Sequence, residues 1–257
     1  MTDFPAWGDP QSPAAGNVAA YYIENAMAQT AVPNIVTAVL ADYRGYDTMF
    51  ETAVIFSAAI ACFFLLRQKQ GSKPTMRYYR HLITGITLRI KRGGHLPENS
   101  DAFEEIDKKW VPHDLIIKTT CRLLIPFIQI FALYVIAHGH HSPGGGFQGG
   151  VIFGASLILY AISHDLRAAI RRMGEKMGIF LCTAGVAIFA GTGALCMILG
   201  GNFLDYSALA SVLGVDPIMA RSHGILIVEI GVGIAVMAVM VFLYYNLSSA
   251  GKYDEGL

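Results

Sequence analysis

Charged residues are scarce in this chain: Asp, Glu, Lys and Arg together make up 15% of its 257 residues. A soluble domain carries about 25%, whereas here 54% of the residues are hydrophobic and the mean hydropathy is +0.46. The composition therefore predicts an integral membrane protein. Because the formal net charge is +0, no excess of positive charge favours a nucleic-acid partner.

The sequence also lacks paired-cysteine motifs and catalytic motifs. The cysteines lie in or beside apolar runs, and no Cys-x-x-Cys spacing occurs; they are Cys62, Cys121, Cys182 and Cys196. This excludes a disulfide framework and an iron–sulfur cluster. The sequence has no glycine-rich nucleotide loop and no nucleophile with a base, so we expect neither an active site nor a cofactor. Internal repetition is slight, which argues against a self-contained transporter built from inverted repeats.

Five apolar runs come close to or exceed the roughly 20 residues that a membrane-spanning helix needs. They cover about 48–66, 115–138, 149–164, 177–200 and 223–246. We therefore predict an all-α, multi-pass membrane protein with about five transmembrane helices. Lys and Arg concentrate in the connections 67–92 and 165–176. By the positive-inside rule the N-terminus lies outside and the C-terminus inside.

The long connection between the first two spans mixes basic and apolar side chains. Its apolar members are Leu82, Ile83, Ile86, Leu88 and Ile90. The mixture predicts an interfacial amphipathic helix over residues 76–91 that lies on phospholipid of the inner leaflet; a solvated loop is the alternative. We accordingly divide the chain into an N-terminal segment (1–70), a cytoplasmic or interfacial linker (71–112) and a four-helix membrane domain (113–257).

The connection between the second and third spans has the most distinctive sequence, His138-Gly-His-His-Ser-Pro-Gly-Gly-Gly-Phe-Gln-Gly-Gly150. We interpret it as a hinge on the outer face. Pro143 is expected to start a turn, after which Gly144, Gly145 and Gly146 let the chain bend back sharply among helices. The same glycines permit a half-helix end whose dipole faces an ion.

The hinge histidines, His138, His140 and His141, have two further interpretations. Imidazoles with a pKa near roughly 6.5 suit proton buffering at the outer surface. A metal site is disfavoured, because no carboxylate or thiolate completes the ligand shell. Haem bound between His138 and His223 is a minor alternative, so we predict neither a metal nor a cofactor.

Ionisable residues near the spans are the candidates for an ion path. Asp42, Arg44, Asp47 and Glu51 form a charged group at the outer mouth of span one, where Asp47 and Glu51 would share a helix face. This group either borders an ion path or makes a structural ion pair, with Asp42 and Arg44 as the more structural couple.

A further carboxylate, Glu229, stands about six residues into span five. An ionisable group there costs on the order of 2.5 kcal/mol or more unless it is paired or hydrated. Glu229 therefore serves an ion or proton path, or a hydrogen bond that locks helix packing. His223 and Lys118 are weaker candidates, because interfacial residues commonly snorkel or cap helices.

Two groups of motifs resemble a known family. Residues 115–246, with the histidine hinge and Val228-Glu-Ile-Gly-Val-Gly233, resemble the MnhB (MrpB) subunit of multisubunit Na+/H+ antiporters, a four-helix membrane protein. Upstream, Tyr21-Tyr-Ile-Glu-Asn25 and the run from Asn34 to Glu51 resemble the C-terminal part of MrpA, which related membrane-bound hydrogenases carry as the separate small protein MbhE. Met49 and Phe50 depart from the usual Leu-Gly of that pattern.

The resemblance implies a fusion of two neighbouring pieces in a Mrp-type cation/proton antiporter of a prokaryotic plasma membrane. Other membrane subunits would be its partners and would hold the pumping helices. The chain would wall a Na+ or H+ route with Glu229 and the group from Asp42 to Glu51. The same module inside a redox-driven complex, such as a membrane-bound hydrogenase or a complex-I-like oxidoreductase, is one alternative. A purely structural membrane scaffold is another.

Overall fold

Helices dominate the computed structural model, which describes residues 6–66, 76–91, 102–106 and 115–249. In chain order its α-helices are α1 (Ala20–Thr30), α2 (Ile35–Ala38), α3 (Gly45–Leu66), α4 (Leu115–Ala137), α5 (Gly146–His164), α6 (Leu166–Arg172), α7 (Glu175–Ile198), α8 (Ala210–Leu213) and α9 (Pro217–Ser248). Helices α3, α4, α5, α7 and α9 are long and apolar enough to cross a membrane. The predicted all-α membrane fold with five spans is confirmed.

Helix α9 is the centre of the bundle and packs against α3, α5 and α7. In its most apolar stretch 67% of the residues are buried inside the protein, compared with 11% in α3. The other spans therefore present much of their apolar surface to lipid or to partner subunits. α9 begins at Pro217, whose fixed φ and missing N–H suit the first position of a helix.

Small residues bring α9 close to its neighbours. A Cβ atom built on Gly150 of α5 would lie 2.6 Å from the carbonyl oxygen of Gly233. A Cβ atom on Gly185 of α7 would lie 2.5 Å from the carbonyl oxygen of Gly231. The backbones therefore touch without intervening side chains, as expected where membrane helices associate through van der Waals packing.

The N-terminal segment packs at the same end of the bundle as the hinge. Two π-helical turns, Ala14–Ala19 and Val39–Tyr43, flank α1 and α2. A 3₁₀ turn, Tyr206–Leu209, lies opposite in the connection between α7 and α9. Tyr206 is fully buried there, and its hydroxyl donates to the carbonyl oxygen of Ala41 over 3.0 Å. We call this end of the bundle the hinge end.

The connection between α3 and α4 contains a small antiparallel sheet, so the predicted amphipathic helix over 76–91 is wrong. Strands β1 (Met76–His81), β2 (Thr87–Lys91) and β3 (Phe103–Ile106) are arranged in the order β2-β1-β3. Gly85 has a φ of +71° in the β1–β2 turn, a conformation that ends a helix. The β-branched and aromatic residues around it favour strands. Residues 71–75, 92–101 and 107–112 of the predicted linker lie outside the described residues.

Candidate functional site

The hinge folds back between α4 and α5 so that its glycines face α9. After α4 ends, the N–H groups of His141 and Ser142 both donate to the carbonyl oxygen of His138 over 2.9 Å. The chain then extends through Gly145, whose N–H donates to Oε1 of Gln148 over 3.2 Å. This bond caps the start of α5, because the first N–H groups of a helix have no partner within it.

Glu229 of α9 lies against three of these glycines. A Cβ atom built on Gly139 would lie 2.7 Å from Oε2 of Glu229. At Gly145 a Cβ atom would overlap Oε1, and at Gly146 it would overlap the carbonyl oxygen of Glu229 itself. The three positions therefore have no room for a side chain, and only glycine lets the hinge backbone approach Glu229 this closely.

The Glu229 carboxylate is buried and only partly satisfied. The residue is 8% exposed, and its side chain accepts a hydrogen bond from the N–H of Gly146. Gly146 opens α5, so the positive end of that helix dipole faces the carboxylate. Oε2 has no hydrogen-bond partner among the described residues. A buried carboxylate with a free oxygen is costly, and a proton, a cation or water would relieve that cost.

The N-terminal segment holds the hinge from the other side. The Asn34 side-chain amide donates to the carbonyl oxygens of Gly139 and Ser142 over 3.1 and 2.5 Å. The hydroxyl of Thr37 donates to the same Gly139 oxygen over 2.9 Å. The main-chain N–H of Asn34 donates to the carbonyl oxygen of His140 over 3.0 Å. We call this set of bonds the hinge latch.

A cavity lies between the hinge latch and α9. Its polar wall includes Asn34, Thr37, Gln148 and Glu229, and Phe189, Val228 and Val232 contribute apolar surface. The centre of a water molecule can occupy about 60 Å³ of it. One water needs only about 10–15 Å³ by the same measure, so the cavity has room for a few waters, or for a small cation that keeps part of its hydration shell.

A second buried carboxylate, Asp42, pairs with Arg221 and not with Arg44 as predicted. Nη2 of Arg221 lies 2.9 Å from Oδ1 of Asp42, whose side chain is 4% exposed. Burial raises the pKa of Asp42 above its usual value, although the Arg221 guanidinium opposes this rise. Arg221 stands 179 positions away in sequence, whereas Arg44 is a neighbour along the chain, which is why the sequence pointed to the wrong partner.

The other carboxylates of this group face outward. Arg44 forms an exposed ion pair with Asp47 at the start of α3. Glu51 follows one turn later on α3 and is also exposed. The structure therefore separates the predicted group from Asp42 to Glu51 into a buried pair with Arg221 and an outward-facing surface on α3.

The histidines lie beside the latch at the hinge end. His138 stacks on Tyr134 with ring centroids 4.7 Å apart, and His141 lies 5.6 Å from His138. Burial lowers the pKa of His140, and the charges of His141 and His223 lower it further. Nε2 of His140 is buried and finds no partner in the described part of the chain. Within that part no three His, Cys, Asp or Glu side chains could hold a metal ion together.

Lys118 does not join the site. It is exposed in the first turn of α4, and the hinge follows the last turn of that helix. About 30 Å of helix therefore separates Lys118 from the hinge, at 1.5 Å per residue.

Sequence reasoning assigned no role to four residues of the site, Asn34, Thr37, Gln148 and Arg221. A usable signal existed for Asn34, because Asn before an apolar run is a typical helix N-cap, and its side chain does accept the N–H of Val36.

Two protein families match the chain over the two parts that meet at the latch. The first, described as "Domain related to MnhB subunit of Na+/H+ antiporter", matches residues 116–242. The second is MbhE, described as the E subunit of MBH, and it matches residues 7–80. Asn34 and Thr37 belong to the MbhE match, whereas the hinge and Glu229 belong to the MnhB match.

Curated relatives agree with the MnhB match. The B subunit of the Na(+)/H(+) antiporter of Bacillus subtilis (strain 168) is 33% identical over 95 residues, which are 37% of this chain and 66% of that protein. The protein named "Putative antiporter subunit mnhB2" of Staphylococcus aureus (strain Newman) is 28% identical over 138 residues, which are 53% of this chain and 95% of that protein.

Solved structures show the same fold over nearly the whole chain. A chain of the membrane-bound sulfane sulfur reductase (MBS), an archaeal respiratory membrane complex, aligns with a TM-score of 0.62 and 23% identity, covering 96% of this chain and 89% of that chain. A chain of the Mrp complex from Dietzia sp. DQ12-45-1b aligns with a TM-score of 0.55 and 26% identity, covering 88% of this chain and 22% of that chain. The protein therefore belongs to the MnhB-related membrane subunits of Mrp-type antiporter modules, as a multi-pass plasma-membrane chain that carries an MbhE segment ahead of its MnhB domain.

Proposed function

We propose that this chain walls part of a Na+ or proton route in its antiporter module, and that Glu229 is the ionisable group on that route. One observation carries the proposal: the carboxylate is 8% exposed, its Oε2 is unpaired within the described residues, and it lines a cavity. Relatives named as Na+/H+ antiporter subunits supply the class of ion.

A purely structural carboxylate would be arranged differently. Buried polar atoms in folded proteins are nearly always hydrogen-bonded, and a glutamate that only locked two helices together would have both oxygens paired. Ionisable residues inside membrane spans commonly mark ion pathways. Glu229 lines the cavity, so an ion or a proton-carrying water in the cavity would lie beside this residue.

The buried pair of Asp42 and Arg221 belongs to the same end of the route. Asp42 follows Ala41, which lines the cavity, so a change of charge on Asp42 acts close to the ion. Asp47 and Glu51 are exposed on α3, and we assign them to the contact with partner subunits. His223 is close enough to His140 to lower the pKa of that imidazole, and we assign both residues to the outer end of the route.

The test is transport in everted membrane vesicles from cells that carry the complete set of subunits. We expect Glu229→Gln to abolish Na+-dependent dissipation of the pH gradient while the subunits still co-purify. Glu24→Gln is the matched control, because Glu24 is an exposed carboxylate on α1, and it should transport normally. Full transport by an assembled Glu229→Gln complex would leave only the scaffold role for this chain.

A second candidate places the same module inside a redox-driven complex. Its support is that the sulfane sulfur reductase chain shares the fold of both halves of this protein and is covered over 89% of its length. Purification of the tagged chain in a mild detergent, followed by mass spectrometry of every co-purifying subunit, separates the two settings. Soluble redox subunits would support the redox complex, and membrane subunits alone would support the free-standing antiporter.

A further inference from the structure

We propose that the Glu229 cavity binds one monovalent cation, Na+, and that the site is composite, with ligands from both the MbhE and the MnhB parts of the chain. The inference rests on the ion route proposed above and names its occupant. It starts from the buried oxygen of Glu229 that has no partner in the described residues.

Polar side chains from both parts of the chain line the cavity with Glu229, namely Thr37 from the MbhE part and Gln148 from the MnhB part. The Thr37 hydroxyl donates to the carbonyl oxygen of Gly139 over 2.9 Å, and the Cβ position of Gly139 lies 2.7 Å from Oε2 of Glu229. The Thr37 hydroxyl and the Glu229 carboxylate therefore flank the same glycine. The side-chain oxygen of Gln148 accepts the N–H of Gly145 over 3.2 Å and keeps a second lone pair. A carboxylate with hydroxyl, amide and water oxygens is a suitable ligand set for a hard cation.

The charge of the cavity selects a monovalent ion. Of the described residues that line it, Glu229 alone is ionisable. The positive end of α5 already offsets part of that single negative charge, since the Gly146 N–H donates to the carboxylate. Ca²⁺ and Mg²⁺ sites generally draw on more carboxylate charge or on phosphate. One partly compensated carboxylate therefore matches Na+ and gives an affinity low enough for the ion to leave again.

The same geometry makes Na+ and a proton competitors. Either of them neutralises the Glu229 carboxylate, and the cavity offers no second carboxylate among its described residues. Binding of one therefore excludes the other, and by linkage each weakens the apparent affinity of the other by the same factor. Mutually exclusive binding at one carboxylate is the elementary requirement for exchange of the two ions.

The first experiment is infrared difference spectroscopy on the purified complex in proteoliposomes, with NaCl exchanged against choline chloride. We expect Na+ to shift a carboxylate stretching band, and we expect Glu229→Gln to remove that shift and Glu24→Gln to retain it. The apparent Kd for Na+ should rise as the pH falls, by about tenfold per pH unit where one proton competes with one ion. A wild-type complex without a Na+-dependent band, or with tighter Ca²⁺ binding, would overturn the inference.

A second pair of variants tests the composite character of the site. Thr37→Val removes a hydroxyl from the cavity with little change in volume, and we expect about a tenfold weaker Na+ response. Thr183→Val is the control, because its exposed hydroxyl bonds only the preceding turn of α7. An unchanged Na+ affinity in folded Thr37→Val would remove the MbhE part from the site. Loss of transport in Glu229→Gln without any Na+ band in the wild type would retain the proposed route and reject Na+ as the occupant.

Discussion

The side-chain amide of Asn34 lies 2.5 Å from the carbonyl oxygen of Ser142, across 108 positions of sequence. Asn34 belongs to the MbhE match and Ser142 to the MnhB match. The contact joins the two family segments beside the hinge, and together with Thr37 it closes one wall of the Glu229 cavity. The latch therefore links assembly of the two segments to the shape of the proposed ion site.

Replacing Asn34 should open this latch. Asn34→Ala removes the N-cap of α2, deprives the carbonyl oxygen of Ser142 of its side-chain donor and leaves that of Gly139 with Thr37, so we expect a loss of about 2 kcal/mol of stability. Thermal unfolding of the purified chain in detergent measures it. Asn25→Ala is the control, because the Asn25 side chain is partly exposed and donates to the carbonyl oxygen of Tyr21 in its own helix. Equal stability of the two variants would show that the latch contributes nothing.

Close backbone contact should make α7 intolerant of a single methyl group. Gly185→Ala places a Cβ atom 2.5 Å from the carbonyl oxygen of Gly231, and we expect about 1–3 kcal/mol of destabilisation from overpacking. Gly191→Ala on the same helix meets no atom within 4 Å. It should be neutral or gain up to about 1 kcal/mol from helix propensity. Chemical or thermal unfolding of both variants in one detergent would settle the comparison.

The buried ion pair should be worth far more than the exposed one. Arg221→Met leaves Asp42 buried without its cation, and we expect a loss of about 3 kcal/mol. Arg44→Met breaks the exposed pair with Asp47 and should cost less than about 1 kcal/mol. If the two variants unfold at the same temperature, the burial of Asp42 has no energetic weight.

The Arg221→Met defect should also depend on pH. Burial raises the pKa of Asp42 in the folded state, and without Arg221 it rises further. A carboxyl with a raised folded pKa binds more protons when folded than when unfolded. Its destabilising effect is therefore absent at low pH and develops as the pH increases through the folded pKa. The variant should recover part of its stability on acidification, which a series of unfolding curves from pH 8 to pH 5 would reveal.

His140 should give the stability of the hinge the opposite dependence on pH. Its pKa is lowered in the folded state, first by burial and then by His141 and His223. Below the ordinary pKa of about 6.5 the unfolded chain binds the additional proton. The contribution of neutral His140 to the free energy of unfolding is therefore fully present above that pH and is lost as the pH falls toward the folded pKa. His140→Gln should reduce the decline, measured as the difference from wild type, whereas His81→Gln at the end of β1, far from the hinge in sequence, should retain it.

The sequence predicts the spans of this fold well because the signal for a membrane helix is local. An apolar run of sufficient length has few alternatives in a bilayer, and α3, α4, α5, α7 and α9 all overlap their predicted runs. The burial of Glu229 follows from the same reasoning, since an ionisable residue inside a span must face protein or water. Its neighbours could not be predicted, because the glycines that enclose it stand more than 80 positions earlier.

Long-range pairing explains the predictions that were wrong. Arg44 stands two positions after Asp42 in sequence, yet in the folded protein Arg221 of α9 forms the ion pair with Asp42. The segment 76–91 alternates apolar and basic residues in a way that fits either a helix or a strand. The segment is a strand pair because β1 pairs with both β2 and β3, and β3 lies in the part of the predicted linker that follows residue 91.

The central position of α9 fixes the order in which this bundle can be completed. α9 is the last of the five spans along the chain, yet it supplies the surface on which α3, α5 and α7 pack. Domains and spans emerge during synthesis from the N-terminal side. α4 and α5 can pack on each other before then, but α3 and α7 lack most of their packing surface until α9 arrives. The bundle therefore becomes compact only when α9, which carries Glu229, is in place, so a truncated translation product cannot present the finished Glu229 cavity to the rest of the complex.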